Sequence, residues 1–439
     1  MKRVIASAGL LALGAVAVHD AHADWAAGAD KPWSISGTLR GFYDSNINTQ
    51  PDHTGVQSSF GLELTPEVQI SLSSGSTTFT GSYTYGLIYY GSRTPNTIDQ
   101  SHDLELFMNH NFNERYSLDV EESFIDSQEP EVLNGGGVLR VNGDNFHNAF
   151  GFHFIDQATE SLNLVFGYSN NFYDYTGKLP DAFAGSPSYG TLLDRFEHLF
   201  LVNARLQVAE ETTLVLGYNL GVIDYISGGS LAGTTLGAPS VPSSTKDNIS
   251  HYIYAGVDHN FRSDLSVSLR AGIQVADYYN YTDSELSGGT NPGTLSPYAS
   301  LNVNYTYMDG GILTMGFIHA KNESDAGYFA PTPGHPDGSL SPDQESSTVS
   351  ASVIQTLTPL SPDLTATATV SYMNSVYDGG AFAGANFADN FYSFGFNLNY
   401  QFTHYISGSA GYNYDELTSQ VFDRGYNRNR VYIGVTATY

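Results

Sequence analysis

The chain has 439 residues, no cysteine and a formal net charge of −28 at pH 7. Without cysteine it forms no disulfide, uses no thiol in catalysis and holds no Cys-bound haem or zinc. Its negative charge would repel phosphate backbones, which excludes nucleic acid as a partner. No stretch of the sequence approaches about eighteen consecutive apolar residues, which excludes helical membrane spans.

Residues 1–23 predict a secretory signal peptide. A basic start is followed by an apolar run over 4–18 and by a small-x-small pattern that ends at Ala23. The run is too short for a transmembrane helix, which needs about 20 residues. A buried N-terminal helix is the alternative. A short periplasmic N-terminal segment, 24–32, is then predicted to precede the first strand.

Residues 58–72, SSFGLELTPEVQISL, alternate apolar and polar side chains over fifteen residues. A period of two is typical of a β-strand, and this one is roughly three times as long as the usual strand of about 5–6 residues. Pro66 has no N–H for a sheet ladder, so it predicts a local bulge or a position at the rim of the sheet. The same alternation returns along the chain, for example in residues 77–89, 265–275, 364–372 and 392–402.

Eighteen such segments predict eighteen strands. The connections between them alternate between short ones, such as 113–115 and 262–264, and long ones, such as 126–145 and 321–345. Short turns at one end and long loops at the other are the mark of an outer-membrane barrel. The predicted starts lie near positions 33, 57, 77, 103, 116, 146, 162, 196, 212, 248, 265, 297, 312, 346, 364, 391, 405 and 429.

We therefore predict an all-β fold over residues 33–439. It is a transmembrane antiparallel up-and-down β-barrel of about 18 strands, with short periplasmic turns and long extracellular loops. The apolar side of each strand would face lipid, and the polar side would face a wet lumen. A soluble β-sandwich or β-helix adhesin is the alternative, but such folds lack the alternation of long and short connections.

The C-terminus, RVYIGVTATY, predicts an assembly signal. Tyr432, Gly434, Ala437 and Tyr439 match in order the polar or aromatic, glycine, apolar and terminal aromatic positions of this signal. The pattern resembles the C-terminal β-signal that the barrel assembly machinery of Gram-negative bacteria recognises. Ala437 is a weak apolar residue and Tyr432 an imperfect polar one, so these two positions match less well.

The chain after the signal peptide also resembles the putative β-barrel porins, type 2, of Gram-negative envelopes. The resemblance covers roughly 400 residues and implies a barrel in the cell outer membrane with a porin-like role, although barrel families host many functions. It is carried by WSISGTLRGFYDSNIN (33–48), SSFGLELTPEVQISL (58–72), YSLDVEESF…EPEV (116–132) and NRNRVYIGVTATY (427–439).

The alternation also predicts which charged side chains line the pore. A charge on the lipid side costs about 2–4 kcal/mol near the bilayer midplane, so charges should point inward. Glu122 breaks this rule and is predicted to lie near the outer end of its strand or to be turned inward by a bulge. The predicted pore-lining residues are Arg40, Glu63, Glu67, Glu105, Asp119, Glu121, Glu197, Arg205, Asp258, Arg270 and Arg430.

Two roles remain open for this set, simple solvation of a wide pore and contact with the permeating solute. Closure of the barrel places Arg40 and Arg430 on one wall beside Glu63 and Glu67. These arginines could set up a transverse field across the lumen, or form ordinary cross-strand ion pairs.

Aromatic residues near strand ends predict two girdles at the membrane interfaces. Few tyrosines have inward parity, namely Tyr252, Tyr254 and Tyr298, which argues mildly against a dedicated saccharide channel. The predicted girdle residues are Tyr89, Tyr90, Tyr116, Phe172, Tyr225, Tyr278, Tyr279, Tyr377, Tyr405 and Tyr439.

These features predict a passive diffusion channel for small hydrophilic solutes or ions, mildly selective for cations. The alternative is a structural or export-associated barrel, such as an exopolysaccharide secretion partner or a surface scaffold. No catalytic residue, cofactor or metal is predicted, because the histidines are scattered without ligand spacing. Outer-membrane lipids and the assembly machinery are the expected partners, and the sequence leaves open whether the protein forms a homo-oligomer.

Overall fold

The computed structural model describes ten segments of the chain. They are residues 31–51, 55–94, 96–127, 145–176, 188–231, 241–280, 295–323, 343–377, 388–420 and 425–439. The predicted signal peptide, and all of the predicted segment 24–32 except its last two residues, lie outside the described residues.

Eighteen antiparallel strands form one closed sheet, in which each strand pairs with its sequence neighbours and the first pairs with the last. A five-residue helix, α1 (Tyr189–Leu193), and a 3-10 helix, Ser243–Lys246, lie in two of the long connections. The strands are β1 Trp33–Asp44, β2 Ser59–Ser74, β3 Thr77–Tyr90, β4 Ile98–Asn111, β5 Tyr116–Ser127, β6 Asn145–Gln157, β7 Leu162–Tyr175, β8 Arg195–Ala209, β9 Thr212–Tyr225, β10 Asn248–Arg262, β11 Leu265–Asp277, β12 Leu295–Met308, β13 Gly311–Glu323, β14 Asp343–Thr356, β15 Leu364–Tyr377, β16 Ala388–Thr403, β17 Ile406–Ser419 and β18 Tyr426–Thr438.

The predicted fold is confirmed, including the number of strands. The largest error in a predicted start is at β4, which was expected near residue 103 and begins at Ile98. Hydrophobic period alone located the strands because nearly every strand has one apolar and one polar face.

The outer surface of the sheet is apolar. Phe60, Leu216 and Ile433 are 72%, 62% and 69% exposed, and many other large apolar side chains share their face of the sheet. An aqueous surface rarely carries so much contiguous apolar area. A closed sheet satisfies its own backbone hydrogen bonds, so this surface suits lipid. Among the described residues, no helix has the length and apolar character needed to span a membrane.

Strands β1 and β18 close the barrel. Their ladder runs from Ser36 opposite Thr438 to Asp44 opposite Arg430. Beyond the ladder, the Tyr439 N–H donates to the Ile35 carbonyl at 2.8 Å, and the Ile35 N–H donates to the Tyr439 carbonyl at 3.1 Å. The two ends of the sheet thus meet at the rim that carries the short connections.

The strands have no bulge at Pro66 or at Glu122, the two positions where the sequence predicted an irregularity. Leu64 lies opposite Leu87 and Glu67 lies opposite Thr84, so the β2–β3 register is the same on both sides of Pro66. Thr65 and Pro66 themselves have no ladder partner on β3. Pro66 therefore interrupts the ladder in mid-strand, so neither the bulge nor the rim prediction was right. Glu122 also lies in an unshifted ladder and stays on the lipid-facing side, where its carboxylate accepts a hydrogen bond from the Asn148 side-chain amide.

Candidate functional site in the barrel lumen

The inward face of each strand is fixed by its alternation with the exposed apolar residues. Arg40 and Glu63, for example, pair with each other next to the exposed Leu39 and Leu64. By the same rule, all eleven predicted pore-lining residues lie on the inward face. Their part in permeation stays a prediction.

Arg40, Glu63 and Arg430 form one charged cluster on the wall of β1, β2 and β18. The Glu63 carboxylate lies 3.5 Å from Arg40 Nη1 and 2.8 Å from Arg430 Nη2. Gly434 makes room for this arrangement, since a Cβ there would lie 2.5 Å from Arg40 Cγ. Glu63 thus forms ion pairs with Arg40 on the adjacent β1 and with Arg430 on β18, which lies on the other side of β1. The transverse field stays a prediction.

A second cluster of the same composition lies on β8, β10 and β11. Asp258 is 2.8 Å from Arg205 Nη2 and 2.7 Å from Arg270 Nη2. Gly256 opposes Arg270, and a Cβ at Gly256 would lie 2.4 Å from Arg270 Cδ. In the ring of eighteen strands β10 lies nine strands from β1, so the two clusters are on opposite walls. Each combines two arginines with one carboxylate, a net charge of about +1 at neutral pH.

The inner face of β2–β5 is acidic. These four adjacent strands contain no lysine or arginine. Seven carboxylates line it, and two of them, Glu63 and Asp99, form ion pairs with Arg40 and Arg93. We call the other five the acidic strip. They are Glu67, Asp103, Glu105, Asp119 and Glu121, and all are half-buried or exposed.

Three neutral side chains donate hydrogen bonds to the acidic strip, and one of these bonds runs from the Gln69 amide to Glu67 at 2.5 Å. The Asn109 amide donates to Asp119 at 2.6 Å, and the Ser36 hydroxyl donates to Glu67 at 3.3 Å. Asp103 was missing from the predicted set, although its parity relative to Glu105 on the same strand would have placed it inward.

Glu197, the remaining predicted residue, lies near the end of the barrel that carries the long connections. It accepts a hydrogen bond from Arg195 Nε at 2.7 Å, and the buried Arg195 also donates to the Leu193 carbonyl at 2.8 Å. This pair therefore anchors helix α1 to the start of β8, rather than standing in the open lumen.

An aspartate directly before a strand organises two of the long connections. Asp194 accepts the Tyr175 N–H at 2.8 Å, and Asp247 accepts the Tyr225 N–H at 2.7 Å. Burial raises the pKa of Asp194 to about 6, and burial also raises the pKa of Asp247. The hydrogen bonds favour the ionised form and partly oppose this shift.

The end of β13 separates from β12 and crosses the inner face of the neighbouring strands. The β12–β13 ladder stops at Ala299 opposite His319, whereas the β13–β14 ladder continues to Glu323 opposite Asp343. On β11, the inward-facing Gln274 binds the Lys321 backbone, accepting from its N–H at 3.0 Å and donating to its carbonyl at 3.2 Å. Residues 320–323 therefore lie on the inner face of the neighbouring strands, whereas Gln344–Ser346 of β14 stay paired with β15.

The girdle prediction was wrong for four tyrosines. Tyr90, Tyr225, Tyr278 and Tyr377 have inward parity and are 1–5% exposed. Each lies at or next to the end of a strand, where position alone suggested the interface. Three of them donate to carboxylates, Tyr225 to Glu323, Tyr278 to Asp343 and Tyr377 to Asp389, at 2.6–2.9 Å. Other predicted girdle residues lie on the outer surface, such as Tyr89, Tyr279, Tyr405 and Tyr439.

The residues of the predicted assembly signal are distributed over both faces of β18. Tyr432 points inward, where its hydroxyl donates to Asn397 at 3.1 Å, and Gly434 faces Arg40. Ala437 pairs with Gly37 and Ile406 on the neighbouring strands. The exposed Tyr439 ring lies 6.2 Å from the Trp33 ring, and Lys31 Nζ lies 3.9 Å from its centroid.

Within the described part of the chain, no three His, Asp or Glu side chains are grouped so that they could hold a metal ion.

The barrel was compared with proteins of known family and structure. Three solved structures cover 93% of this chain and 98–99% of their own: the outer membrane protein OpdK of Pseudomonas aeruginosa, OccAB3 of Acinetobacter baumannii and OccK5 (OpdH) of P. aeruginosa. Their identities are 10%, 10% and 12%, with TM-scores of 0.44, 0.43 and 0.42. The search of the curated proteins gave no match.

The family model described as "Putative beta-barrel porin 2" matches residues 341–439, which include the last five strands. The closed sheet with its apolar exterior is consistent with this match. The protein is therefore an outer-membrane β-barrel whose C-terminal part, residues 341–439, matches the putative beta-barrel porin 2 family.

Proposed function

We propose that the protein is an outer-membrane channel for the passive diffusion of small hydrophilic solutes, with a mild preference for cations. The observation that carries this proposal is the acidic strip on the inner face of β2–β5, strands that hold no basic residue. Barrels of about 16–18 strands are wide enough to leave an aqueous channel. The match of the C-terminal strands to a porin family supports the same function.

The preference for cations follows from the distribution of inward charges. Carboxylates concentrated on one wall raise the local concentration of counter-ions. The two arginine clusters act against this effect, since each contributes a net positive charge to another wall. At about 0.1 M salt the Debye length is roughly 10 Å, so part of the lumen is screened. The selectivity should therefore be mild and strongest in dilute salt.

The proposed channel requires no catalytic group and no cofactor, and we assign none. Tyr432, Gly434, Ala437 and Tyr439 are proposed to be the residues that the barrel assembly machinery recognises. We also propose that the short connections are periplasmic and the long ones extracellular, as in other outer-membrane barrels.

A structural or export-associated barrel is the second candidate, and one observation favours it. The inner faces of β9–β12 are largely buried towards the long connections, for example at Asn219, Asn248 and Gln274, so part of the lumen is filled.

Liposome swelling with neutral sugars of increasing size separates the two functions. A channel gives swelling rates that fall with sugar size, and a scaffold gives none. The zero-current potential across a KCl gradient then tests the selectivity, and a neutral or anion-selective pore would contradict the assigned preference.

A further inference from the structure

Four polar side chains face lipid on adjacent strands of the outer wall. The ladders of β5–β8 place them on the same side of the sheet as the exposed Phe166 and Phe200. The Asn148 amide donates to Glu122, and the Asn170 amide donates to His198 Nδ1 at 3.1 Å. We call this set the polar track. Its members are Glu122 on β5, Asn148 on β6, Asn170 on β7 and His198 on β8.

The polar track reaches into the hydrocarbon part of the membrane. Glu122 is the seventh residue of β5, counted from Tyr116 at the rim with the short connections. A tilted strand rises about 2.5 Å per residue along the membrane normal, which puts Glu122 about 15 Å from that rim, within an apolar band about 25 Å tall. Lipid tails offer no hydrogen-bond partner at this depth, and ionisable residues inside a membrane are rare and usually functional. We therefore expect another polar surface to meet the track.

Aromatic side chains flank the polar track on both sides. Towards the short connections, the Tyr168 ring lies 6.0 Å from Phe152 and 5.0 Å from Phe200. On β11, by contrast, the outward side chains are aliphatic, as at Leu269 and Ile273. Large rigid rings supply much of the contact area at protein interfaces. Towards the long connections, a row of rings with centroids 4.7–5.8 Å apart crosses all four strands, namely Phe124, Phe146, Phe172 and Phe196.

The polar track is complementary to a second copy of itself. A two-fold axis along the membrane normal keeps every residue at its own depth, and an axis between β6 and β7 makes β6 of one copy face β7 of the other. Asn148 is the tenth residue of β6 and Asn170 the ninth of β7, each counted from the short-connection end, so the two amides meet at nearly one depth. A side-chain amide both donates and accepts hydrogen bonds, so each can bond to the other. A different protein would need a matching polar pattern of its own, whereas a second copy supplies it by symmetry.

We propose that the outer wall over β5–β8 is an interface between two copies of this chain, with Asn148 and Asn170 hydrogen-bonded across it and Glu122 beside them. Such polar contacts stabilise association within a membrane because lipid offers no competing partner. This inference goes beyond the proposed function, since the interface does not depend on conduction. It also gives a role to Glu122, the carboxylate that breaks the inward rule of the other strand charges.

The test is cross-linking of the full-length protein in isolated outer membranes, for which a chain without cysteine is well suited. Phe150→Cys places a thiol beside the proposed axis, since Phe150 pairs with Asn170 on β7. A short bismaleimide should join two copies through this thiol. Leu269→Cys is the control for position, because Leu269 lies on the aliphatic wall of β11 and is 45% exposed, and it should give several-fold less dimer.

Leucine substitutions in the Phe150→Cys protein test the polar track itself. Glu122→Leu with Asn148→Leu should remove most of the cross-linked dimer and leave the amount of assembled barrel unchanged, because leucine suits a lipid-facing wall. Asn170→Leu is a second variant with the same expected loss. Asn390→Leu is the matched control and should keep the dimer, since this outward asparagine on β16 accepts from the Tyr372 hydroxyl at 2.8 Å, far from the track.

Three results would each overturn the interface: no dimer with Phe150→Cys, as much dimer with Leu269→Cys, or dimer that survives the leucine substitutions in the track. The channel function would stand in all three cases, because conductance is measured separately.

Discussion

Arg428 on β18 donates two hydrogen bonds to one carboxylate oxygen of Asp44 on β1, from Nε at 2.9 Å and from Nη2 at 2.6 Å. Asp44 is fully buried and Arg428 is 7% exposed. The pair joins the first and last strands at the end that carries the long connections, so it holds the seam where the barrel closes.

We expect Asp44→Asn to destabilise the barrel by about 3 kcal/mol, because it leaves a buried guanidinium without its main partner. Asp415, 3.5 Å from Arg428 Nη1, limits the loss. The measurement is the temperature at which the folded form converts to the unfolded form on a semi-native SDS gel. Asp156→Asn is the control, since it removes a similar two-bond pair with Arg115 that is exposed to solvent. Equal shifts for the two variants would contradict the role assigned to the seam.

Tyr439 provides a test of the assembly signal. Tyr439→Ala should lower the amount of barrel in the outer membrane several-fold and leave protease-sensitive chain in the periplasm, whereas Tyr439→Phe should assemble normally. Tyr405→Ala is the comparison, because Tyr405 is also exposed, at the rim of the barrel that carries the short connections, but is not the terminal residue. The assembly role would be wrong if Tyr439→Ala reached the membrane as well as Tyr405→Ala.

The inward charges should contribute unequally to ion selectivity. Asp258→Asn and Glu63→Gln each remove a carboxylate that two arginines share. Each should lower the ratio of K⁺ to Cl⁻ permeability about twofold in dilute salt, since the change lies within a Debye length of roughly 10 Å from the solute.

Glu121→Gln, in the acidic strip, should act in the same direction but more weakly, because it exposes no arginine. Zero-current potentials across a KCl gradient measure all three variants. A larger effect for Glu121→Gln than for the other two would mean that the arginine clusters do not face the permeating ions.

The absence of cysteine from the chain makes a clean test of orientation possible. Gly228 lies in a long connection, with open space around its Cβ position, and Ser263 lies in the short turn between β10 and β11. An impermeant maleimide added to intact cells should label Gly228→Cys and not Ser263→Cys. Labelling of Ser263→Cys but not of Gly228→Cys would mean that the barrel has the opposite orientation in the membrane.

Much of the fold was predictable from the sequence because a lipid-facing strand must keep a strict period of two. The same period placed Arg40, Glu63 and Arg430 on one wall, since closure of the barrel makes the first and last strands neighbours. The same alternation indicates that Tyr225 and Tyr278 point inward. They were predicted to lie at the membrane interface because they lie at or next to strand ends, where interfacial aromatic residues are common.

The inward contacts of residues 320–323 could not be predicted from local patterns. Residues 320–323 continue the alternation of β13, and their departure from β12 depends on contacts with residues as far away in sequence as Tyr225, 98 positions from Glu323. The sequence around Tyr225 and the sequence around Glu323 contain no pattern that predicts their contact. Such contacts follow from the curvature of the closed sheet, which brings the inner faces of non-adjacent strands together.

The most direct test of the proposed channel is the conductance of the wild-type protein in a planar bilayer with symmetric KCl. An open, water-filled lumen predicts stepwise current increases of uniform size as single barrels insert, with a step conductance that rises in proportion to salt concentration at high salt. A bilayer that stays silent, although the same preparation contains folded and inserted barrel, would contradict the channel function and favour the structural scaffold.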